Sequence, residues 1–418
     1  MSVITDVTTR FQKTLAAHAV HSEGAVGLAV SGGGDSIALM HLAALAIAPE
    51  RLFVFTIDHG LRPEAAAEIA LVQAQADALG LQHVVAKWDW DHSGNLQAAA
   101  RAGRWEALVS LARAHNVNTI WMGHTEDDQV ETFMLRLARG SGVDGLTAMQ
   151  MASKRDGYAI FRPLLNITRA DLRAWLTDHA IVWCDDPSNE DTRFDRVRAR
   201  QMADQLGTLG LTAKRILQTI DHMQAAQQTL QRCAYDFAHA HIRQDGADLI
   251  VDQTVLQMTQ ADAPRRAFAA AIGWTGSRGF RPRFEQLKDT AARVLQGGTV
   301  TLGGCILTPQ KDGTVRLSRE AAATTPMAVP LQNDDLIWDQ RWRLTGPKVA
   351  GLTLKSLGDG IKFCPDWRQT DFPRMSLLAS PAVWHGTTLV SAPIAGLSNG
   401  WTGQIVANFH SMAFAIED

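Results

Sequence analysis

The sequence predicts an α/β protein: a doubly wound parallel sheet, followed by a helical middle domain and a small β-rich C-terminal domain. Three observations carry this prediction. The first half alternates short β-branched apolar runs with longer helical patterns, the signature of βαβ units. A glycine-rich turn follows the first of those runs directly. After Pro326 the texture changes to short apolar pieces broken by Gly and Pro and studded with Trp338, Trp342, Trp367, Trp384 and Trp401.

Taken in order, residues 25–30, 52–57, 83–88 and 119–122 read as strands. Helical patterns near 36–47, 64–79 and 96–115 lie between them, each long enough for a right-handed crossover onto one sheet. A further helix begins at Glu126 and is broken by Gly140, Gly142 and Gly145. Residues 211–241, rich in Gln and Ala, read as one long helix leading out of the first domain. The expected domains are 1–210 (catalytic), 211–322 (middle) and 328–418 (terminal), with the Ala-, Thr- and Pro-rich stretch 320–330 as linker.

With 418 residues, 46% hydrophobic and 20% charged, the chain can bury sizeable cores, which excludes a disordered or fibrous protein. Its four cysteines stand far apart with no CxxC pair, and the start lacks a basic segment followed by an apolar run. The longest apolar stretch, 37–48, is too short to span a bilayer. A cytoplasmic protein with no membrane partner is expected. Its oligomeric state, monomer or homodimer, is left open. The net charge of −3 hides a division: residues 1–218 hold 21 basic and 25 acidic side chains, whereas basic residues elsewhere gather in patches.

The sharpest local feature is Ser31-Gly32-Gly33-Gly34-Asp35-Ser36, between a strand and a helix. Consecutive glycines let backbone amides converge on an anion, and the helix N-terminus adds positive potential, so a phosphate chain fits there. Neither GxGxxG nor GxxxxGK[ST] is present, which removes the usual dinucleotide and Walker readings. A carboxylate beside a polyphosphate requires a divalent cation between them, so Asp35 implies Mg²⁺ as well as ATP. In Gly123-His124-Thr125-Glu126-Asp127-Asp128-Gln129-Val130-Glu131-Thr132, the side chains of His124, Asp128 and Glu131 share a helical face just after a strand end. Such a strand end is where open α/β sheets place ligands, and Asp128 with Glu131 could hold an ammonium or a metal.

The phosphate loop resembles that of the N-type ATP pyrophosphatase superfamily. Asp58-His59-Gly60-Leu61-Arg62, the GHTEDDQVET segment, Arg139-Gly140-Ser141-Gly142, Arg162-Pro163-Leu164-Leu165 and Asp186-Pro187-Ser188-Asn189 follow in the order seen in tRNA(Ile)-lysidine synthetases. The resemblance covers roughly residues 25–200. It implies adenylation of the C2 oxygen of the wobble cytidine in a CAU-anticodon isoleucine tRNA, followed by attack of free L-lysine, releasing AMP. It implies catalytic roles for Asp35, His124 and Asp128, ATP contacts from Ser31 to Ser36 and from Asp58 and His59, and lysine contacts from Asp128, Glu131 and Arg104.

Arg62 is placed by similarity on the tRNA side of the cleft. The run Arg193-Phe194-Asp195-Arg196-Val197-Arg198-Ala199-Arg200 carries four arginines against one aspartate and is expected to meet tRNA phosphates, with Phe194 available to stack. Arg281 and Arg283, in a second basic concentration, suit the tRNA body. The segment 341–374, with seven basic and three acidic residues, suits the acceptor end. Val197 stands where the family usually has Asn, and Trp105 where it usually has Tyr. The rival reading is a tRNA thiolase, which adenylates a tRNA base by the same chemistry but needs reactive sulfur. An amidating synthetase lacks its glutaminase here, and a nucleotide-gated RNA-binding protein leaves Asp35, Asp128 and Glu131 without a task.

Overall fold

The computed structural model describes residues 3–18, 24–58, 60, 65–88, 96–185, 195–276, 282–330 and 336–413. The chain divides into two compact units, Met1–Ala225 and Ala226–Asp418.

The first unit contains helices α1 (Val3–Ala17), α2 (Gly34–Ala46), α3 (Ala65–Ala78), α4 (Leu96–Ala114), α5 (Glu126–Ala138), α6 (Val143–Leu146), α7 (Arg169–Asp178) and α8 (Asp195–Gly207). Its strands are β1 (Val26–Ala29), β2 (Leu52–Asp58), β3 (Gln82–Lys87), β4 (Thr119–Met122), β5 (Ala152–Arg155) and β6 (Tyr158–Phe161). They form one sheet in the order β3-β2-β1-β4-β6-β5, parallel except for the edge strand β5. The expected strands and crossover helices are therefore present, with boundaries within two residues. The hairpin β5–β6 and helix α1 are additions; the hairpin turns at Asp156 and Gly157, both at positive φ as a type I′ turn requires.

Alternation along the strands sends side chains to two separate cores. Leu28, its register partners Val54 and Trp121, and Phe161 pack with Ile37, Leu39, Val72 and Trp175 on one face. On the other face Ala29, Phe55, Ile120 and Ile160 pack with Trp105 and Leu108 of α4. Buried on both faces, β1 and β4 need continuous apolar sequence, which is why they were legible as strands. From β1 the chain winds first to β2 and β3, then returns to β4 on the opposite side. The carboxyl ends of β1 and β4 therefore flank the point where the winding reverses, the place that accepts ligands in open α/β sheets.

Helix α9 (Ala213–His241) runs through the division between the units. The second unit continues with β7 (Ile242–Asp245), β8 (Asp248–Asp252), α10 (Gln253–Gln257), α11 (Asp262–Gly276), α12 (Phe284–Leu295), β9 (Val300–Leu302), β10 (Cys305–Pro309) and β11 (Thr314–Arg319). Beside the expected helices, these strands make an antiparallel sheet in the order β7-β8-β11-β10-β9. The terminal segment supplies a four-stranded and a three-stranded sheet, and Trp338, Trp342, Trp384 and Trp401 are core residues there, as expected of a small β module.

Middle and terminal segments pack together within this unit. Phe409 joins the core of Phe268 and Ile272. The buried Arg319 holds Asp339 through two hydrogen bonds of 2.9 Å, and Arg341 donates to the Ala247 carbonyl at 2.9 Å. Arg341 is thus a core side chain and is withdrawn from the basic concentration expected over 341–374.

Candidate active site

The phosphate loop leaves β1 at Ser31. Gly32 adopts φ +92°, a left-handed conformation that a side chain would strain. The Ser36 hydroxyl accepts from the Ser31 N–H at 3.1 Å and donates to the Gly33 carbonyl at 2.9 Å, closing the loop over the first turn of α2. Two other segments hem it in. The Cys184 N–H donates to the Gly32 carbonyl at 2.9 Å, and the Trp183 indole lies against Gly34. At the end of β4, a Cβ on Gly123 would stand 3.0 Å from the Asp35 carbonyl oxygen and 3.2 Å from the Ser36 Cα. The chain after β4 therefore passes the start of α2 with no room for a side chain.

That close passage brings Asp35 towards α5. Thr125 begins the helix, and Asp128 Oδ2 accepts from its N–H at 2.8 Å and from its hydroxyl at 3.2 Å, fixing the carboxylate at the N-terminus. Between α2 and α5 sits Arg169, the first residue of α7. Its Nε donates to Asp35 Oδ2 at 3.0 Å, one terminal nitrogen donates to Asp128 Oδ1 at 3.2 Å, and the other lies 3.7 Å from Glu131 Oε1. Its own backbone N–H donates to Asp127 Oδ2 at 2.7 Å, which anchors the stem. Glu131 is 5% exposed and also accepts from Arg200, at 3.0 Å through Nε and 2.7 Å through a terminal nitrogen. Among the described residues, Asp35, Asp128 and Glu131 are thus paired with two cations, Arg169 and Arg200.

Burial holds the Asp35 carboxyl above its ordinary pKa, and the Arg169 guanidinium pulls it back. For Arg169 burial works against the charge, but Asp35, Asp128 and Glu131 outweigh it and raise its pKa. Asp35, Asp128 and Glu131 are thus gathered about one guanidinium, and carboxylates this close are tolerated because each is paired.

His124 is half-buried at the turn from β4 to α5. Asp58 closes β2, with its Oδ1 accepting from the Gly60 N–H at 2.9 Å. Arg104 is exposed on α4, the helix that covers β2 and β3. Arg198 is exposed and paired with Asp195. Arg200, expected to face tRNA, reaches inward to Glu131 instead of standing clear on the basic surface. Arg283 is exposed in the second unit, its N–H donating to Gln286 Oε1 at 3.0 Å. His59, Arg62, Arg193 and Arg281, and the side chain of Arg196, lie outside the described residues.

Sequence reasoning missed Arg169 and the role of Gly123. The first lies 134 positions from Asp35, and nothing local distinguishes it from other helix-opening arginines. Gly123 carried a signal, since a glycine between a buried strand and a helix start marks close backbone approach.

The donor set fits a nucleotide with a divalent cation. Asp35 Oδ2 is engaged by Arg169, whereas Oδ1 accepts no hydrogen bond among the described residues. Among those residues no three His, Cys, Asp or Glu side chains form a protein-only metal cage. Mg²⁺ needs none, because it is usually held by one or two carboxylates, phosphates and water. No described helix is long and apolar enough to cross a membrane.

Residues 4–206 match the family model of the PP-loop domain. Over 384 residues the chain is 41% identical to the tRNA(Ile)-lysidine synthase of Ruegeria pomeroyi, covering 91% of each protein. The relative of the same name from Wolbachia pipientis wMel is 31% identical over 360 residues, 82% of this chain and 83% of that one. That from Rhodopseudomonas palustris is 45% identical over 199 residues, 46% of this chain and 57% of that one. With its PP-loop domain of the N-type ATP pyrophosphatase fold, the chain belongs to the tRNA(Ile)-lysidine synthase family.

Proposed function

We propose that this protein ligates L-lysine to C2 of the wobble cytidine of CAU-anticodon tRNA(Ile). ATP adenylates the C2 oxygen with release of pyrophosphate. The ε-amino nitrogen of lysine then bonds to C2 as the C2–oxygen bond breaks, giving lysidine and AMP. The observation that carries the reading is the meeting of Asp35, from the phosphate loop, with Asp128 and Glu131, from α5, around one guanidinium at the point where the sheet's winding reverses.

The chain's residues divide the work. The loop from Ser31 to Ser36 offers backbone amides and a helix N-terminus to the polyphosphate. Asp35 would hold Mg²⁺ through Oδ1, and the ion would supply charge neutralisation between carboxylate and phosphates. Asp58 and His124 line the nucleotide side, and His59 is assigned to the same ligand by the family resemblance. The excess of carboxylates over guanidiniums around Asp128 and Glu131 draws in the lysine ammonium, with Arg104 on the same substrate. The amine must shed one proton before it attacks. Arg62, Arg193, Arg196, Arg198, Arg281 and Arg283 meet the tRNA, the protein working in the cytoplasm as three functional segments, 1–210, 211–322 and 328–418, with a homodimer as the alternative to a monomer.

The thiolase reading is not favoured. The relatives above carry the lysidine synthase name, and Cys184, the only cysteine of the first unit, has its thiol pushed up by burial with Glu68 and Asp185 adding to the effect, the wrong direction for a sulfur nucleophile. Incubation with ATP, Mg²⁺, L-lysine and CAU-anticodon tRNA(Ile) should yield AMP and a lysine-bearing tRNA, with no product on a CAU initiator tRNA. Sulfur incorporation from a persulfide donor, with no lysine product, would install the thiolase instead.

A further inference from the structure

The cation among the carboxylates is the protein's own. Arg169 spreads its three guanidinium nitrogens over three carboxylates from two elements, and its stem is pinned by Asp127 and by the Thr168 cap of α7, which accepts from the Asp171 N–H at 3.0 Å. Asp35, Asp128 and Arg169 are all less than one-quarter exposed. Like charges this close are tolerated only with a counter-charge between them, and an arginine fork can serve several carboxylates where a point ammonium cannot.

We propose that Arg169 is a built-in counter-cation that keeps this site closed to divalent metal until a nucleotide arrives, making metal and nucleotide binding interdependent. The inference rests on the reading of the loop as an ATP site. A divalent ion approaching Asp35 without a nucleotide must compete for that carboxylate with the Arg169 charge already at contact distance, which weakens its hold. A polyphosphate in the loop reverses the balance, because its oxygens give the guanidinium a second anion to bind and leave Asp35 to the metal. Binding of either ligand then raises the affinity for the other by the same factor, as linkage requires.

The test is Mn²⁺ binding to the full chain, followed by the paramagnetic signal of the free ion, for wild type, Arg169→Gln and Arg169→Lys, without and with ATP. Without nucleotide, Arg169→Gln should bind Mn²⁺ at least tenfold more tightly than wild type, with Arg169→Lys between them. With ATP present the difference should shrink to threefold or less. Equal or weaker Mn²⁺ binding by Arg169→Gln without nucleotide overturns the proposal. If that variant does not fold, wild-type affinity in Arg169→Lys overturns it instead, because a single ammonium cannot span the three carboxylates. The nucleotide-free arm judges Arg169 by itself, whereas failure of wild type to bind ATP at all would strike the ATP reading and leave that arm standing.

Discussion

Gly123→Ala is the most informative small change the site offers. The added Cβ would lie 3.0 Å from the Asp35 carbonyl oxygen and 3.2 Å from the Ser36 Cα. Ordinary contacts begin at 3.4 Å, so a few tenths of an ångström must be found. Neither neighbour can turn aside, because both are backbone at the start of α2, and the displacement passes into the phosphate loop. Overpacking of this kind costs about 1–3 kcal/mol. For a unit of this size that corresponds to a fall in Tm of roughly 2–4 °C per kcal/mol. A misplacement of 1 Å can cost about a hundredfold in rate, so a third of that predicts a loss of roughly fivefold in kcat, with a raised KM for ATP. Melting curves and ATP-dependent AMP release measure the two effects. Gly27→Ala is the control: its Cβ would meet the Phe55 ring at 2.5 Å, away from the loop, so stability should fall further while kcat of the folded protein holds. Wild-type kcat and KM in Gly123→Ala would refute the claim that the passage at Gly123 sets the position of the loop.

Four further outcomes are expected. Asp35→Ala should abolish AMP formation, by about a thousandfold or more, while circular dichroism stays that of the wild type, because the remaining carboxylates keep Arg169 and Arg200. Asp339→Ala should destabilise the second unit by about 3–5 kcal/mol in denaturant titration, since it strands the buried Arg319 and Arg341. His41 titrates below its ordinary pKa because it is buried, with Gln75 Oε1 at 2.7 Å from its Nε2 opposing the shift. A lowered histidine pKa means that the unfolded chain binds the proton first, so stability present above pH about 6.5 is lost as pH falls, and His41→Gln should flatten that acid-side decline in Tm. For tRNA, log K should fall steeply with log salt, and Arg196→Ala should reduce the slope by about one phosphate equivalent; an unchanged slope would remove Arg196 from the tRNA contact.

The two sources of legibility in this sequence were burial and punctuation. Strands β1, β2 and β4 announced themselves because both their faces are covered, and the phosphate loop because three glycines interrupt a strand-to-helix passage. Asp128 and Glu131 were legible as a pair because one helical turn fixes their neighbourhood. Arg169 was not, since its meaning comes from Asp35, brought to it only by the sheet. Arg200 was misread for a related reason: a run of arginines looks uniformly outward in sequence, yet the buried Glu131 recruits one member inward. The β7–β11 sheet escaped notice because its short strands sit among helices whose periodicity dominates the window.

One short stretch of chain has both its ends fastened to the chemistry. Cys184 is hydrogen-bonded to the phosphate loop, and Arg200, sixteen positions later, is clasped by Glu131. The basic run lies at the close of this span. Each anchor meets the site at a named atom: Cys184 at the Gly32 carbonyl and Arg200 at the Glu131 carboxylate. Glu131 is therefore shared between α7 and α8, and a displaced α8 is registered first at the carboxylate that Arg200 and Arg169 hold in common.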